Sequence, residues 1–333
     1  GYYMQGQKTA FFYAGDQSAL TTWVHEATHQ FFQETGSTAP AVGEQSNFWV
    51  VEGIAIYMES VRSGSGFRTV GGLDASRLQF ARYRALTNSF YVPLKQLATY
   101  GRETLQRDDD IRRLYSQASG LAHFLMHADA RKYKPVLMRY LQAVYEGRDR
   151  DSTLAELTGV AFEQLDRKYQ QFLDLTDEQL AFFDSRIQDL CLTRTSVTDD
   201  GVRLLRGAAE LRWLDLSFTP VSDAGLMNFA QSTKLNQLSM EGTRVTDEGM
   251  KVVARFSQLQ ELDVSQTAVS DVGLQQIAGL DSLRVLWLTG TKVTDEGLKH
   301  LSDLKNLEQL DVQGTAITAA GLQRLTQQRP NLK

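Results

Sequence analysis

Leu286-Trp287-Leu288-Thr289-Gly290-Thr291-Lys292-Val293-Thr294-Asp295-Glu296-Gly297-Leu298 is one copy of a pattern that returns every 24 residues through the second half of the chain. Threonine recurs at 195, 219, 243, 267, 291 and 315. In the same register stand Val197, Val221, Val245, Val269, Val293 and Ile317, and Gly201, Gly225, Gly249, Gly273, Gly297 and Gly321. Before each threonine sits an apolar pair spaced by two: Leu190/Leu192, Leu214/Leu216, Leu238/Met240, Leu262/Val264, Leu286/Leu288 and Leu310/Val312. Alternation of this kind is a short strand with one buried face. The Ser or Thr before the Asp is a helix N-cap with an acid in the first turn, and the G-L-x-x-[LFVI] that follows gives the helix an inward stripe. One strand and one helix cannot bury their apolar faces alone, so successive copies must stack.

Over about 186–333 this resembles the leucine-rich repeat, most closely the T-x-V-T-D-x-G-L repeats of bacterial proteins, with Thr where that family usually has Asn or Cys. The resemblance implies an α/β solenoid of six repeats, ending irregularly at Gln327-Gln328-Arg329-Pro330. The residues between the paired leucines then face the concave surface, which in such solenoids binds partners. The column reads Cys191, Asp215, Ser239, Asp263, Trp287, Asp311, with Trp213, Glu241 and Glu261 beside it. Two tryptophans among acids suit a protein or peptide partner of basic character. The alternative is a merely soluble face whose tryptophans touch the rest of the chain.

Upstream, residues 1–185 carry no repeat. The pattern predicts a strand at Thr9–Tyr13, helices through 18–34, 47–61, 74–88, 111–128 and 134–146, and a Gly/Ser loop at 63–66. Thr176-Asp177-Glu178-Gln179-Leu180 is a capping box opening a further helix, which with Phe182 and Phe183 is expected to cover the solenoid's first turn.

Inside the first helix, Trp23-Val24-His25-Glu26-Ala27-Thr28-His29-Gln30 contains H-E-x-x-H. Residues four apart share a helix face, so His25 and His29 can bind one metal ion while Glu26 reaches a water held there. Leu20, Trp23, Val24, Ala27 and Phe31 line an apolar side of the same helix. A catalytic zinc needs a third protein ligand and an open position. Thr35 stands where a metzincin would place its third His, and Phe32 where it would place Gly. Glu52, in Trp49-Val50-Val51-Glu52-Gly53-Ile54-Ala55-Ile56-Tyr57-Met58-Glu59, is the natural third ligand.

Together these two helices resemble the gluzincin peptidases, whose second helix reads roughly W-x-x-E-G-x-A-x-Y-x-E, in a form like that of an uncharacterised bacterial group. The resemblance spans most of residues 1–175. It implies an α+β, mostly helical zinc peptidase domain holding one Zn²⁺ through His25, His29 and Glu52, with Glu26 as general base and a protein or peptide substrate. It implies that Glu59 accepts a hydrogen bond from a ligand histidine, where the alternative is a solvated acid. It further implies that Tyr115, in Leu114-Tyr115-Ser116-Gln117-Ala118-Ser119-Gly120-Leu121, stabilises the oxyanion. An ordinary core tyrosine is the other reading of Tyr115, and Tyr100 is the next tyrosine to consider. His123 and His127 are read as packing residues. The early strand Gly1–Gly6 lacks the acid with which gluzincin aminopeptidases hold a free amine, which favours an endopeptidase. A non-catalytic binding protein with a peptidase-like scaffold is the rival expectation.

A net charge of -5 without a basic run argues against nucleic acid. No apolar stretch reaches the roughly 18 residues of a membrane span. A lone cysteine, Cys191, excludes an intramolecular disulfide. The opening at Gly1-Tyr2-Tyr3 is read as the start of an excised piece whose targeting segment lies elsewhere, so the compartment stays open, with an extracytoplasmic location favoured.

Overall fold

The computed structural model describes residues 2–4, 7, 9–11, 19–63, 68–329 and 332–333. The chain divides into two compact units, Gly1–Leu173 and Asp174–Lys333.

In the first unit, β1 (Tyr2–Met4) and β2 (Thr9–Phe11) form an antiparallel pair beside α1 (Ala19–Thr35). Residues 12–13 of the expected strand, residues 64–66 of the Gly/Ser loop and Pro330 of the terminal cap lie outside the described residues. Next come α2 (Phe48–Glu59), the small antiparallel pair β3 (Arg62–Ser63) and β4 (Arg68–Thr69), and α3 (Ser76–Leu86). They are followed by the short α4 (Leu94–Ala98) and α5 (Arg102–Gln106), then α6 (Ile111–Arg131), α7 (Lys134–Tyr145), α8 (Thr153–Thr158) and α9 (Phe162–Leu173). The five helices expected from periodicity are present within a residue or two at most ends. The short ones carry too few turns to show a period. α6 keeps helical dihedrals only to His127, because Ala128 is extended and Asp129 and Ala130 have positive φ.

α2 is the hub. It is buried on every side from Phe48 to Tyr57 and packs against α1 and α6. Gly53 permits the closest approach, since a Cβ there would stand 2.7 Å from the Ala118 carbonyl oxygen of α6. The start of α2 is fixed by Asn47, fully buried, whose amide donates to Asp149 and to the Arg150 carbonyl while its oxygen accepts from the Tyr140 hydroxyl.

α1 departs from the sequence reading. Its apolar stripe faces outward: Leu20, Trp23 and Phe31 are 57%, 48% and 59% exposed. The opposite face, with His25, Thr28, His29 and Phe32, is the less exposed one, and α1 packs on α2. Apolar periodicity therefore located the helix but gave the wrong buried side.

The second unit is a solenoid. β5 (Asp189–Cys191), β6 (Trp213–Asp215), β7 (Gln237–Ser239), β8 (Glu261–Asp263), β9 (Val285–Trp287) and β10 (Gln309–Asp311) form one parallel sheet in sequential order. Each pair is offset by one 24-residue period, as in Leu262 beside Leu286. Helical turns follow each strand, among them α11 (Asp199–Arg203), α12 (Asp223–Leu226), α13 (Asp247–Val253), α14 (Asp271–Ile277) and α15 (Ala319–Gln328); Gly297–Leu301 is a 3₁₀ turn.

The repeat residues explain one another. Each buried repeat threonine donates its hydroxyl to the carbonyl three residues back, as Thr291 does to Leu288, so a backbone group the strand leaves over is satisfied locally. Each N-cap Ser or Thr is held by the Asp of the preceding repeat. Asp247 accepts from the Ser270 amide at 2.8 Å and from its hydroxyl at 2.6 Å, and Asp271 treats Thr294 alike. The repeat glycines make room for that carboxylate: a Cβ on Gly273 would lie 2.5 Å from Asp247 Oδ1.

The ladder begins earlier than the change of sequence pattern at 185/186. Asp177 holds Thr198 as Asp199 holds Ser222, so α10 (Asp177–Leu180), with its Thr176/Gln179 capping box, is the first rung of the solenoid. Phe182, expected to cover its end, is 83% exposed.

Candidate metal centre

α1 and α2 bring their motif residues together. His25 Nε2 and His29 Nε2 are 3.1 Å apart, and Glu52 Oε2 lies 3.4 Å from the first and 3.9 Å from the second. Among the described residues no second group of three or more such ligand side chains converges. Behind His25, the Glu59 carboxylate sits 2.7 Å from Nδ1. That contact places the Nδ1 proton toward Glu59 and leaves the Nε2 lone pair facing His29 and Glu52.

Three Lewis-basic atoms facing one point form a group able to hold a cation. Burial works against a charged His25, but hydrogen bonds to Glu52 and Glu59 outweigh it and raise its pKa from 6.5 to about 9. His29, buried and beside the charged His25, falls to about 4, the Glu52 charge notwithstanding. Burial opposes ionisation of Glu52, yet the His25 hydrogen bond, the His29 and His25 charges and a hydrogen bond from Tyr115 keep its pKa lowered. The Glu52 and Glu59 carboxylates thus favour positive charge at His25.

The donor set fits zinc. Tetrahedral ligands at about 2.0–2.2 Å have donor–donor edges of roughly 3.3–3.6 Å, close to the 3.1, 3.4 and 3.9 Å found here. Two imidazoles and one carboxylate leave the fourth position to a water or substrate.

The centre opens into a cleft of about 410 Å³. Glu26 and Tyr115 line it, as does an apolar wall of Val42, Phe48 and Val51. Burial raises the Tyr115 pKa, as do the Glu52 charge and the hydrogen bond to Glu52. Tyr100 does not line the cleft, and its hydroxyl accepts from Gln96. Arg102 and Tyr145 also line it. Neither was anticipated, because a short helix and a helix end far along the chain carry no motif spacing that points to them.

His123 and His127 pack. His123 is fully buried, its Nδ1 2.8 Å from the Ser119 carbonyl and its ring edge-on to Tyr57, while His127 Nε2 lies 3.0 Å from the Tyr57 hydroxyl. Burial lowers the His123 pKa to about 4.

On the solenoid, pairing aligns Cys191, Asp215, Ser239, Asp263, Trp287 and Asp311 in one row, and Trp213 with Glu261 in the next. Trp213, Glu241, Glu261, Asp263, Trp287 and Asp311 are half-buried. Asp215, expected to meet a partner, is 2% exposed, and its Oδ1 accepts from the Ser217 amide. The same bond engages Asp263 and Asp311, with Ser265 and Gln313. The aspartates of this row therefore hold the turn after each strand as well as supplying charge.

Residues 19–146 match a family described as a protein of unknown function (DUF1570), and residues 231–254 match the Leucine Rich repeat family. No curated protein matches. Among solved structures, internalin C2 of Listeria monocytogenes is 25% identical, over 47% of this chain and 63% of that one, with a TM-score of 0.39. An internalin (inlF) of the same organism is 18% identical over 55% of each chain, at 0.37. A leucine-rich-repeat protein of Leptospira interrogans is 19% identical over 46% of this chain and 38% of that one, at 0.36. The chain spans less than two thirds of each of these structures. The solenoid is a leucine-rich-repeat region, a type of surface suited to binding proteins. No helix among the described residues is long and apolar enough to cross a membrane.

Proposed function

We propose that the first unit is a zinc-dependent peptidase, an endopeptidase in preference to an aminopeptidase, and that the repeats recognise its protein substrate or partner. The reading rests on one observation: His25, His29 and Glu52 converge in a cleft that Glu26 and Tyr115 also line. Zinc bound there would supply Lewis acidity and a water with a pKa near 7. His25, His29 and Glu52 would hold it, with Glu59 fixing the His25 ring through Nδ1. Glu26 accepts a proton from the attacking water and returns it to the leaving amine nitrogen. The Tyr115 hydroxyl donates to the oxygen that gains charge as the carbonyl carbon becomes tetrahedral. Zinc analysis and peptide hydrolysis on wild type and Glu26→Gln test the assignment. One zinc is expected in each protein, with activity lower in the variant by on the order of 10²–10⁴. A protein without zinc, or one that hydrolyses equally well without Glu26, refutes it.

A second reading is a binding protein in which the first unit is a scaffold. The repeat-family match and the half-buried Trp213 and Trp287 favour it. Replacing both tryptophans by Ala should weaken partner binding and leave small-peptide cleavage intact. Absence of cleavage in a zinc-loaded wild type would leave this reading standing.

A further inference from the structure

Arg102 stands at the rim of the cleft without a carboxylate partner among the described residues. Its guanidinium is positioned all the same. It lies 5.0 Å from the centroid of the Phe48 ring, and Nη2 donates to the Val42 carbonyl at 3.1 Å. A guanidinium has five N–H donors, so most of its fork is left for another group. Its charge is felt at both His29 and Tyr145. In the same cleft, Tyr145 is 5% exposed, its ring stacked on Phe32, and its hydroxyl is buried with no hydrogen-bond partner. Leaving a buried hydroxyl unpaired is costly, and this one belongs to a residue that lines the cleft, where a ligand group can pair it.

The geometry points to a carboxylate-binding subsite made by Arg102 and Tyr145, so that this centre takes peptides carrying a carboxylate close to the scissile bond. The proposal rests on the peptidase reading above. The anchored fork suits bidentate contact with a planar carboxylate, and the buried hydroxyl of Tyr145 supplies a further donor. A C-terminal carboxylate and an Asp or Glu side chain share this chemistry.

The test uses a peptide mixture from a digested proteome, either native or with every carboxyl group amidated. Cleavage is followed by mass spectrometry, and retention is measured separately on immobilised Glu26→Gln protein. Wild type should cleave native peptides about 10–100-fold more efficiently than amidated ones, the range for hydrogen bonds to a charged group. Glu26→Gln protein should retain native peptides preferentially, and adding Arg102→Gln should abolish the preference in both assays at unchanged zinc content. Cut sites clustered at C-termini, or beside Asp and Glu, identify which carboxylate is read. Tyr145→Phe should weaken the preference without lowering thermal stability, since its hydroxyl bonds nothing in the fold. Equal handling of native and amidated peptides by wild type overturns the subsite, as does a preference that survives Arg102→Gln. A zinc-free protein, or cleavage that survives Glu26→Gln, instead removes the peptidase reading, and retention then decides the subsite by itself.

Discussion

Gly273→Ala sets two rules of helix chemistry against each other. Gly273 lies in the first turn of α14. Helix propensity alone says that Ala should stabilise the turn by up to about 1 kcal/mol. The solenoid says the reverse. The added Cβ would meet Asp247 Oδ1 at 2.5 Å and Val269 Cγ1 at 2.8 Å, so the carboxylate must withdraw. It then gives up its bonds to the Ser270 amide and hydroxyl. Two bonds to a charged group represent roughly 3–6 kcal/mol. Asp247 is only half-buried, and halving the figure for solvent leaves about 1.5–3 kcal/mol, against which propensity returns about 1. The net loss of about 0.5–2 kcal/mol should lower the solenoid's melting temperature by roughly 1–8 °C in calorimetry. In an Asp247→Ala background the carboxylate clash is gone and only the Val269 contact remains, so Gly273→Ala should cost less than it does in the wild type. A rise in melting temperature for the single variant would refute the proposal that the periodic glycines exist to seat the carboxylate ladder.

Three further outcomes test the centre and the sheet. Glu59→Gln should weaken zinc binding by about 10–100-fold without unfolding the protein, measured by competition with a chelator; unchanged affinity would return Glu59 to the surface. Tyr115→Phe should lower kcat and kcat/KM together by on the order of 10²–10³; if zinc affinity falls in its place, the hydroxyl's task is to support Glu52, to which it is hydrogen-bonded. Asp215 carries a pH signature: burial raises its pKa from 3.8 to about 6, against the opposing Ser217 bonds. The folded pKa is the higher one, so this group's stabilisation is complete below pH 3.8 and is lost as pH rises through 6. Asp215→Asn, neutral and still able to accept from Ser217, should therefore melt higher than wild type at pH 7.5 and no higher at pH 3.5; a lower melting temperature at pH 7.5 would show that the charge is wanted.

The sequence by itself determined whatever repeats or sits within a few residues of its cause. The 24-residue period specified the solenoid, its strand register and its capped turns, because each rung meets only its neighbours and the same local physics recurs. The i, i+4 spacing of His25 and His29 put both on one helix face for the same reason. Glu52 was legible because its apolar segment resembles the second helix of the gluzincins, although its distance from the histidines was not. Tertiary structure alone decided which side of α1 is buried. Periodicity records that Leu20, Trp23 and Phe31 share a face, but not what packs on it, and here α2 takes the histidine face while the apolar stripe stays exposed. It also decided that Asp215 is spent on the backbone, that the solenoid begins at Asp177, and that Arg102 and Tyr145 share a cleft with the ligands. Each of these depends on groups distant in sequence meeting in space, and no local spacing encodes such a meeting.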